Sequence, residues 1–301
     1  MKKDSRAAYI ALGLVSVLWG TTYIASKIGA QHMPGLFLAG LRQFASGVIM
    51  VGFFLARGYK LPDLKSLKAI SIQGIFLLCF SNGMLTWSLE FISGGLAAII
   101  AALVPLMITL MSIWLLKHAK FTKWMVAGLL IGFSGVVVIF YDYLSQLANK
   151  SFLFGVVLAL LATVSWAFGS VYNSQKKLKV DVLFNVGLQM LIAGFIMLVI
   201  CLVSGKYVNP VTSGISTLYA LSYLIVFGSL IAYSAYVFAI TKLPPAQVSI
   251  YAYINPIVAV LLGWMMLNEK MNLNMIFGTL ITLLGVYVVN REFKKQKSLA
   301  T

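Results

Sequence analysis

The chain has 301 residues, 61% hydrophobic and only 10% charged, with a mean hydropathy of +0.96, far from the composition of soluble domains, so it reads as an integral membrane protein. Cys79 and Cys201 fall inside apolar runs, while His32 and His118 stand far apart in polar connections. No disulfide framework, metal-ligand spacing or catalytic triad can be composed from these four, so no metal, cofactor or catalytic residue is expected. The net charge of +16 is scattered among the connections, which suits membrane orientation better than nucleic-acid binding.

About 20 apolar residues in a helix cross the hydrocarbon, and ten runs near that length follow one another. The first, Tyr9 to Ile28, is too long for a cleavable signal peptide. Trp19, Tyr23, Ser26 and Lys27 share one stripe of it, a polar and aromatic face turned from lipid. Lys27 sits near its outer end, where it either snorkels or joins the wall of a cavity. The second run, Leu36 to Ala56, carries Arg42 about 9 Å from its outer end. A central Arg costs about 2.5 to 3.5 kcal/mol on insertion scales. Arg42 therefore either grips a substrate carboxylate or phosphate in bidentate fashion, or snorkels outward or pairs with Glu90. In the third run, Ala69 to Leu89, Asn82 and Thr86 lead to Glu90 at helical spacing, a polar line running outward. The fourth, Gly95 to Leu116, holds Pro105 mid-span, where the missing N–H predicts a bend. The fifth, Trp124 to Phe140, contains Gly128, Gly132 and Gly135, read as packing or dimerisation surfaces.

The sixth run, Phe152 to Asn173, repeats the stripe of the first with Trp166, Ser170 and Asn173. Leu183 to Val203 follows, with Gln189 where the second run has Arg42. The eighth, Leu218 to Ile240, carries Ser229, Tyr233 and Tyr236. The ninth, Ala246 to Leu267, has Ser249, Tyr253, Asn255 and Pro256, which suits a bent, pore-lining helix; a kink that only aids packing is the other reading. The tenth, Asn274 to Asn290, contains Gly278 and Gly285 and ends in a basic tail. The cavity candidates are therefore Trp19, Tyr23, Lys27, Arg42, Asn82, Thr86, Glu90, Trp166, Ser170, Gln189, Tyr233, Tyr253 and Asn255, with helix bends at Pro105 and Pro256.

Two tests support ten spans. Eighteen Lys and Arg fall in one set of connections, against Lys27, Lys150, Lys206 and Lys270 in the other, which predicts cytoplasmic termini and a multi-pass protein of the cell membrane. Adding 147 to a position in the first two runs gives a gapless match to the sixth and seventh: Trp19 falls on Trp166, Leu41 on Leu188, Gly47 on Gly194 and Gly58 on Gly205. Later, Pro105 pairs with Pro256, Trp114 with Trp264 and Gly135 with Gly285. Residues 1–145 and 146–301 are thus two copies of a five-span unit. Because five is odd, the second copy is inverted.

The "LWG" and "SK" of the first run, "LRQFASG" of the second, "GGLAAIIAALVPLMITLMSIWLL" of the fourth and "AQVSIYAYINPIVAVLLGWMMLNEK" of the ninth resemble the EamA branch of the drug/metabolite transporter superfamily. The resemblance spans about residues 8 to 290. It implies an all-α membrane protein with ten transmembrane helices as two inverted five-helix repeats, and movement of small solutes, often amino acids or other metabolites. One departure is "LLKHAK" in the first copy against "MLNEK" in the second, so the acidic residue is present only as Glu269.

No carboxylate lies at the centre of any run: Glu90, Asp142 and Glu269 map to outer ends or loops. A proton-coupled exporter of lipophilic cations, which commonly uses such an acid, is the alternative to a transporter of carboxylate-bearing solutes working by alternating access. A membrane enzyme would need a nucleophile with its base or a metal cluster at membrane depth, which two loop histidines do not provide, and a non-transporting scaffold leaves the paired polar stripes unexplained. The expected partners are a small-molecule substrate and the lipid bilayer, with a homodimer through the glycine faces kept open and no nucleic acid.

Overall fold

Runs of leucine, isoleucine, valine and alanine leave the backbone no partner in hydrocarbon except itself, so each run closes into a helix. The computed structural model describes residues 3–116, 122–141, 143–146, 148–176, 178–243, 248, 251–269 and 271–299. His118, Asp142, Ser249, Lys270 and the start of the ninth run at Ala246 lie outside the described residues. The helices are α1 (Lys3–Gly29), α2 (Gly35–Ala56), α3 (Leu64–Ser88), α4 (Gly94–Ala101), α5 (Val104–Leu116), α6 (Lys123–Tyr141), α7 (Lys150–Gln175), α8 (Val182–Val203), α9 (Ile215–Ile240), α10 (Tyr251–Leu267) and α11 (Leu273–Leu299). They form ten antiparallel spans, because α4 and α5 together make the fourth. Among the described residues nine spans are long and apolar enough to cross a membrane, and α10 is a shorter apolar helix.

Two features depart from the sequence reading. The fourth span is two helices rather than one bent helix. Ala102 and Leu103 separate them, and Pro105 is the second residue of α5, where its missing N–H costs least. Pro256, by contrast, stays inside α10. The third and eighth spans each contain a wide π-helical stretch, Ile75–Gly83 and Leu224–Ile231, at corresponding places in the two halves.

The halves interlock rather than sit side by side. Helix α1 packs on α9 and α10 of the second half, and α7 packs on α3, α4 and α5 of the first. The remaining symmetric pairs meet face to face, α2 on α8 and α6 on α11. Glycine makes both approaches close. A Cβ on Gly47 would come within 2.5 Å of the Leu191 Cα, and one on its counterpart Gly194 within 2.6 Å of the Phe44 Cα. Between α6 and α11, a Cβ on Gly135 would meet the Gly278 carbonyl oxygen at 2.5 Å, and one on Gly278 the Gly135 oxygen at 2.6 Å. These glycine faces are consumed inside the chain. Packing is the first of the two roles that their pattern allowed.

Candidate functional site

A cavity lies where the interlocked helices leave room, with about 100 Å³ available to the centres of water-sized molecules. That is well beyond the roughly 10–15 Å³ that one water needs on this measure. For position, the end of the bundle where α1 begins is the N-terminal face and the opposite end the far face.

Four rings, Trp19, Trp166, Tyr233 and Tyr251, floor the cavity toward the N-terminal face, and Tyr236 packs among them. Trp19 meets Trp166 edge-on with centroids 5.4 Å apart, Tyr236 at 5.0 Å and Tyr251 at 5.1 Å, and Tyr233 lies 6.5 Å away. The Trp19 indole donates to the Gly228 carbonyl at 3.3 Å. Trp19 and Trp166 are repeat counterparts, so the pseudo-two-fold passes between them. Below the rings, Ala8, Ala11, Leu12 and Val15 of α1 pack into a continuous apolar core with Val237 and Leu243.

Above the floor the wall becomes polar. Arg42 is 4% exposed and lines the cavity. Its Nε donates to the Ser229 hydroxyl at 2.8 Å. Gly228 makes the room: a Cβ there would stand 2.7 Å from Arg42 Nη2 and 2.9 Å from a Thr22 methyl carbon. Among the described residues nothing accepts from Nη1 or Nη2, and no carboxylate pairs with the guanidinium. Gln43, the next residue, donates to Asn82 at 3.0 Å. Thr22, Ser26, Ser81, Thr86 and Thr163 add hydroxyls to the lining, and Leu78, Leu85, Leu89, Ala98, Ala101, Ala102 and Val104 add apolar wall. With its amide oriented by its neighbours, Asn255 donates to the Ser16 carbonyl at 2.8 Å and to the Tyr251 carbonyl at 3.1 Å. Among the described residues no aspartate or glutamate lines the cavity.

Eight sequence candidates therefore meet at one cavity: Trp19, Tyr23, Arg42, Asn82, Thr86, Trp166, Tyr233 and Asn255. Five lie off it. Lys27 turns away to donate to the Leu89 and Ile92 carbonyls, at 2.6 and 3.0 Å, because the end of α3 leaves carbonyls without helical partners. Glu90 accepts the Gly35 N–H at 2.5 Å, capping α2, so it neither lines the cavity nor pairs with Arg42. Glu90 is exposed overall, but its carboxylate lies among helix ends, and that desolvation raises its pKa against the Gly35 amide and the charges of Lys206 and Lys27. Gln189 donates to Gln73 at 3.0 Å and Asn185 at 3.1 Å and accepts from the Tyr233 hydroxyl at 2.7 Å, so both atoms of its amide are engaged behind the wall. Ser170 lies beside the ring cluster but not in the lining. Tyr253 faces the opposite way, toward Asn290 at 3.1 Å, among Leu103, Leu106 and Val286.

Sequence reasoning missed Thr22, Gln43, Ser81, Thr163, Gly228 and Tyr251. Thr22 stands three residues after Trp19 and Gln43 directly follows Arg42, which are usable signals. Ser81 needed the widened turn of α3, which sets two consecutive residues, Ser81 and Asn82, on one wall.

The chain matches the model of the EamA-like transporter family twice, over residues 6–141 and 153–291. It is 35% identical over 254 residues, 84% of this chain and 80% of the other, to a protein of Escherichia coli strain K12 named an uncharacterized inner membrane transporter, YedA. Over 295 residues, 96% of this chain and 99% of the other, it is 24% identical to the uncharacterized transporter YoaV of Bacillus subtilis strain 168. It is also 28% identical over 284 residues to a WAT1-related chloroplastic protein of Arabidopsis thaliana, At3g02690, covering 90% of this chain and 66% of the other. One crystal structure of a protein 20% identical superposes with a TM-score of 0.67 over 96% of this chain and 98% of that one, a likeness of fold. Two family matches, one on each five-span unit, over a ten-span bundle with a cavity between its halves, make this chain a member of the EamA-like transporter family, a multi-pass membrane transporter of the drug/metabolite type.

Proposed function

We propose that the protein carries small carboxylate-bearing solutes, amino acids or related metabolites, across the membrane by alternating access, as an exporter or facilitator with both termini in the cytoplasm. The observation that carries this reading is Arg42: a guanidinium 4% exposed, at a cavity wall, with Nε held by Ser229 and two terminal nitrogens without an acceptor. A buried charge without a partner costs several kcal/mol, and a planar fork of N–H donors fits a carboxylate in bidentate geometry. The solute supplies the missing anion. Inverted halves can exchange two similar packings, and that exchange opens the cavity to one side and then the other.

The test is flux of labelled carboxylate-bearing solutes into liposomes that contain the purified protein, beside Arg42→Gln. Removing one partner of a buried charge pair costs about 2 to 5 kcal/mol, so Arg42→Gln should raise the KM at least about 30-fold while the protein stays folded. Equal flux by the two proteins would sink the role of Arg42. The five-ring cluster favours a second reading, export of a lipophilic cation held on aromatic faces. That reading calls for cation flux that requires a proton gradient and survives Arg42→Gln.

A further inference from the structure

We infer that Trp19 and Trp166 are the two positions of one switch: the indole N–H of Trp19 holds the state described here, with the cavity on the far side of the rings, and that of Trp166 holds the opposite state. The switch rests on the alternating-access reading above and names the two donors that set its balance. The tryptophans are repeat counterparts that meet across the pseudo-two-fold with ring planes 87° apart. Their polar atoms are not used alike. The Trp19 indole donates to the Gly228 carbonyl at 3.3 Å, inside the π-helical stretch Leu224–Ile231. The Trp166 indole nitrogen is buried beside the Tyr236 and Tyr251 hydroxyls, yet among the described residues no acceptor stands in hydrogen-bonding geometry to it.

The counterpart π-helical stretch, Ile75–Gly83 of α3, lies against α7 on either side of Trp166. Ser165 donates to the Phe76 carbonyl at 2.7 Å, and a Cβ on Gly169 would come within 2.8 Å of Leu77 Cγ. No indole bonds this stretch among the described residues. A buried N–H left without an acceptor is a cost to the state that leaves it so. When inverted halves exchange conformations, each residue takes the setting of its counterpart. Trp166 then donates to a carbonyl of Ile75–Gly83, and Trp19 gives up Gly228. Gly228 is followed directly by Ser229, which holds Arg42, so the switch and the grip on the solute share one turn of α9. π-helical turns are rare and recur at functional sites; here one lies beside each indole.

The test is labelling of Ser81→Cys, in the cavity wall, on a background of Cys79→Ala and Cys201→Ala. A membrane-impermeant maleimide is added to sealed vesicles at the far face or at the N-terminal face, with no solute present. Trp19→Phe and Trp166→Phe each keep an aromatic ring and remove the donor. An ordinary hydrogen bond shifts a two-state balance about fivefold. Trp19→Phe should therefore lower the ratio of far-face to N-terminal-face labelling about fivefold. Trp166→Phe should raise it by a similar factor, and the double variant should return it close to that of the parent. A merely structural role for either ring does not move the ratio in opposite directions. If Ser81→Cys is labelled from both faces, but the two variants shift the ratio the same way or not at all, the switch falls and alternating access stands. If it is labelled from one face only in every variant, the alternating-access reading falls and the switch falls with it.

Discussion

Arg42 is tolerable in an apolar bundle because three neighbours each solve a different problem. Ser229 accepts from Nε, Gly228 leaves the space its fork fills, and Ser46 donates its hydroxyl to the Arg42 carbonyl at 2.8 Å, tying that turn of α2. Ser229 is then a positioning residue: with Nε tied, the guanidinium plane is fixed and both terminal nitrogens stay toward the cavity. Ser229→Ala should leave Nε without an acceptor at a cost of about 1 to 3 kcal/mol. It should raise the KM for a carboxylate-bearing solute about tenfold with kcat little changed, and Ser229→Thr should restore it because the hydroxyl returns. A loss of protein stability in Ser229→Ala with no change in KM would show a structural role alone. The counterpart of Arg42 makes the contrast: Gln189 has its amide engaged by Gln73, Asn185 and Tyr233. The two halves share a fold, but among the described residues only the first presents a cation to the cavity.

At the scale of helices, the sequence carries two kinds of information with different reach. Span length, charge alternation and the repeat offset are sums over many residues, so ten spans and their inversion were legible. Close approach was legible in part: the glycines of α6 and α11 were read as packing or dimerisation surfaces, whereas Gly47 and Gly194 were read only as repeat counterparts. What stayed hidden depends on a single turn. Nothing in "IFLLCFSNG" announces a π-helical stretch, and its register decides that Ser81 and Asn82 share a wall. A proline mid-span signals a bend in both halves, yet one became a break and the other did not. Lys27 and Glu90 fit a polar stripe by spacing, but helix ends with orphan N–H and C=O groups captured them first. The glycine contact gives a direct test. Gly135→Leu forces a side chain into the α11 backbone, so it should destabilise the protein by about 1 to 3 kcal/mol or more, seen as a lower melting temperature in detergent. Gly52 has open space around it, so Gly52→Ala should be neutral or stabilising by up to about 1 kcal/mol. Equal melting temperatures for Gly135→Leu and wild type would mean that α6 and α11 do not pack as described.

For the molecule as a whole, the inverted repeat would make its two faces equivalent if the copies were identical, so on the alternating-access reading proposed above the residues that break the symmetry would set the balance between states. Glu269 is the clearest of these. Its carboxylate accepts from the N–H groups of Gly94 and Gly95 at 2.7 and 3.1 Å, so the connection after α10 in the second half holds the start of α4 in the first half at the far face. Gly263 leaves the space, since a Cβ there would stand 2.5 Å from Glu269 Oε2. A carboxylate at a helix N-terminus gains from both the orphan amides and the dipole, and hydrogen bonds to a charged group contribute about 1.5 to 3 kcal/mol each. In the sequence the corresponding position of the first half is Ala119, which carries no carboxylate. On the alternating-access reading proposed above, an exchange of conformations between halves would meet this contact as a latch on the far face. Glu269→Gln keeps the shape and removes the charge, and should shift the population toward opening at the far face. Replacing Cys79 and Cys201 by alanine and placing one cysteine at Ser81 in the cavity wall allows a membrane-impermeant maleimide, added from the far face, to report it. Labelling should be at least about fivefold faster with Glu269→Gln, since about 1 kcal/mol of lost latch energy already gives that factor. An unchanged rate, with Ser81→Cys still labelled by a permeant reagent, would show that the far face is held by something other than Glu269.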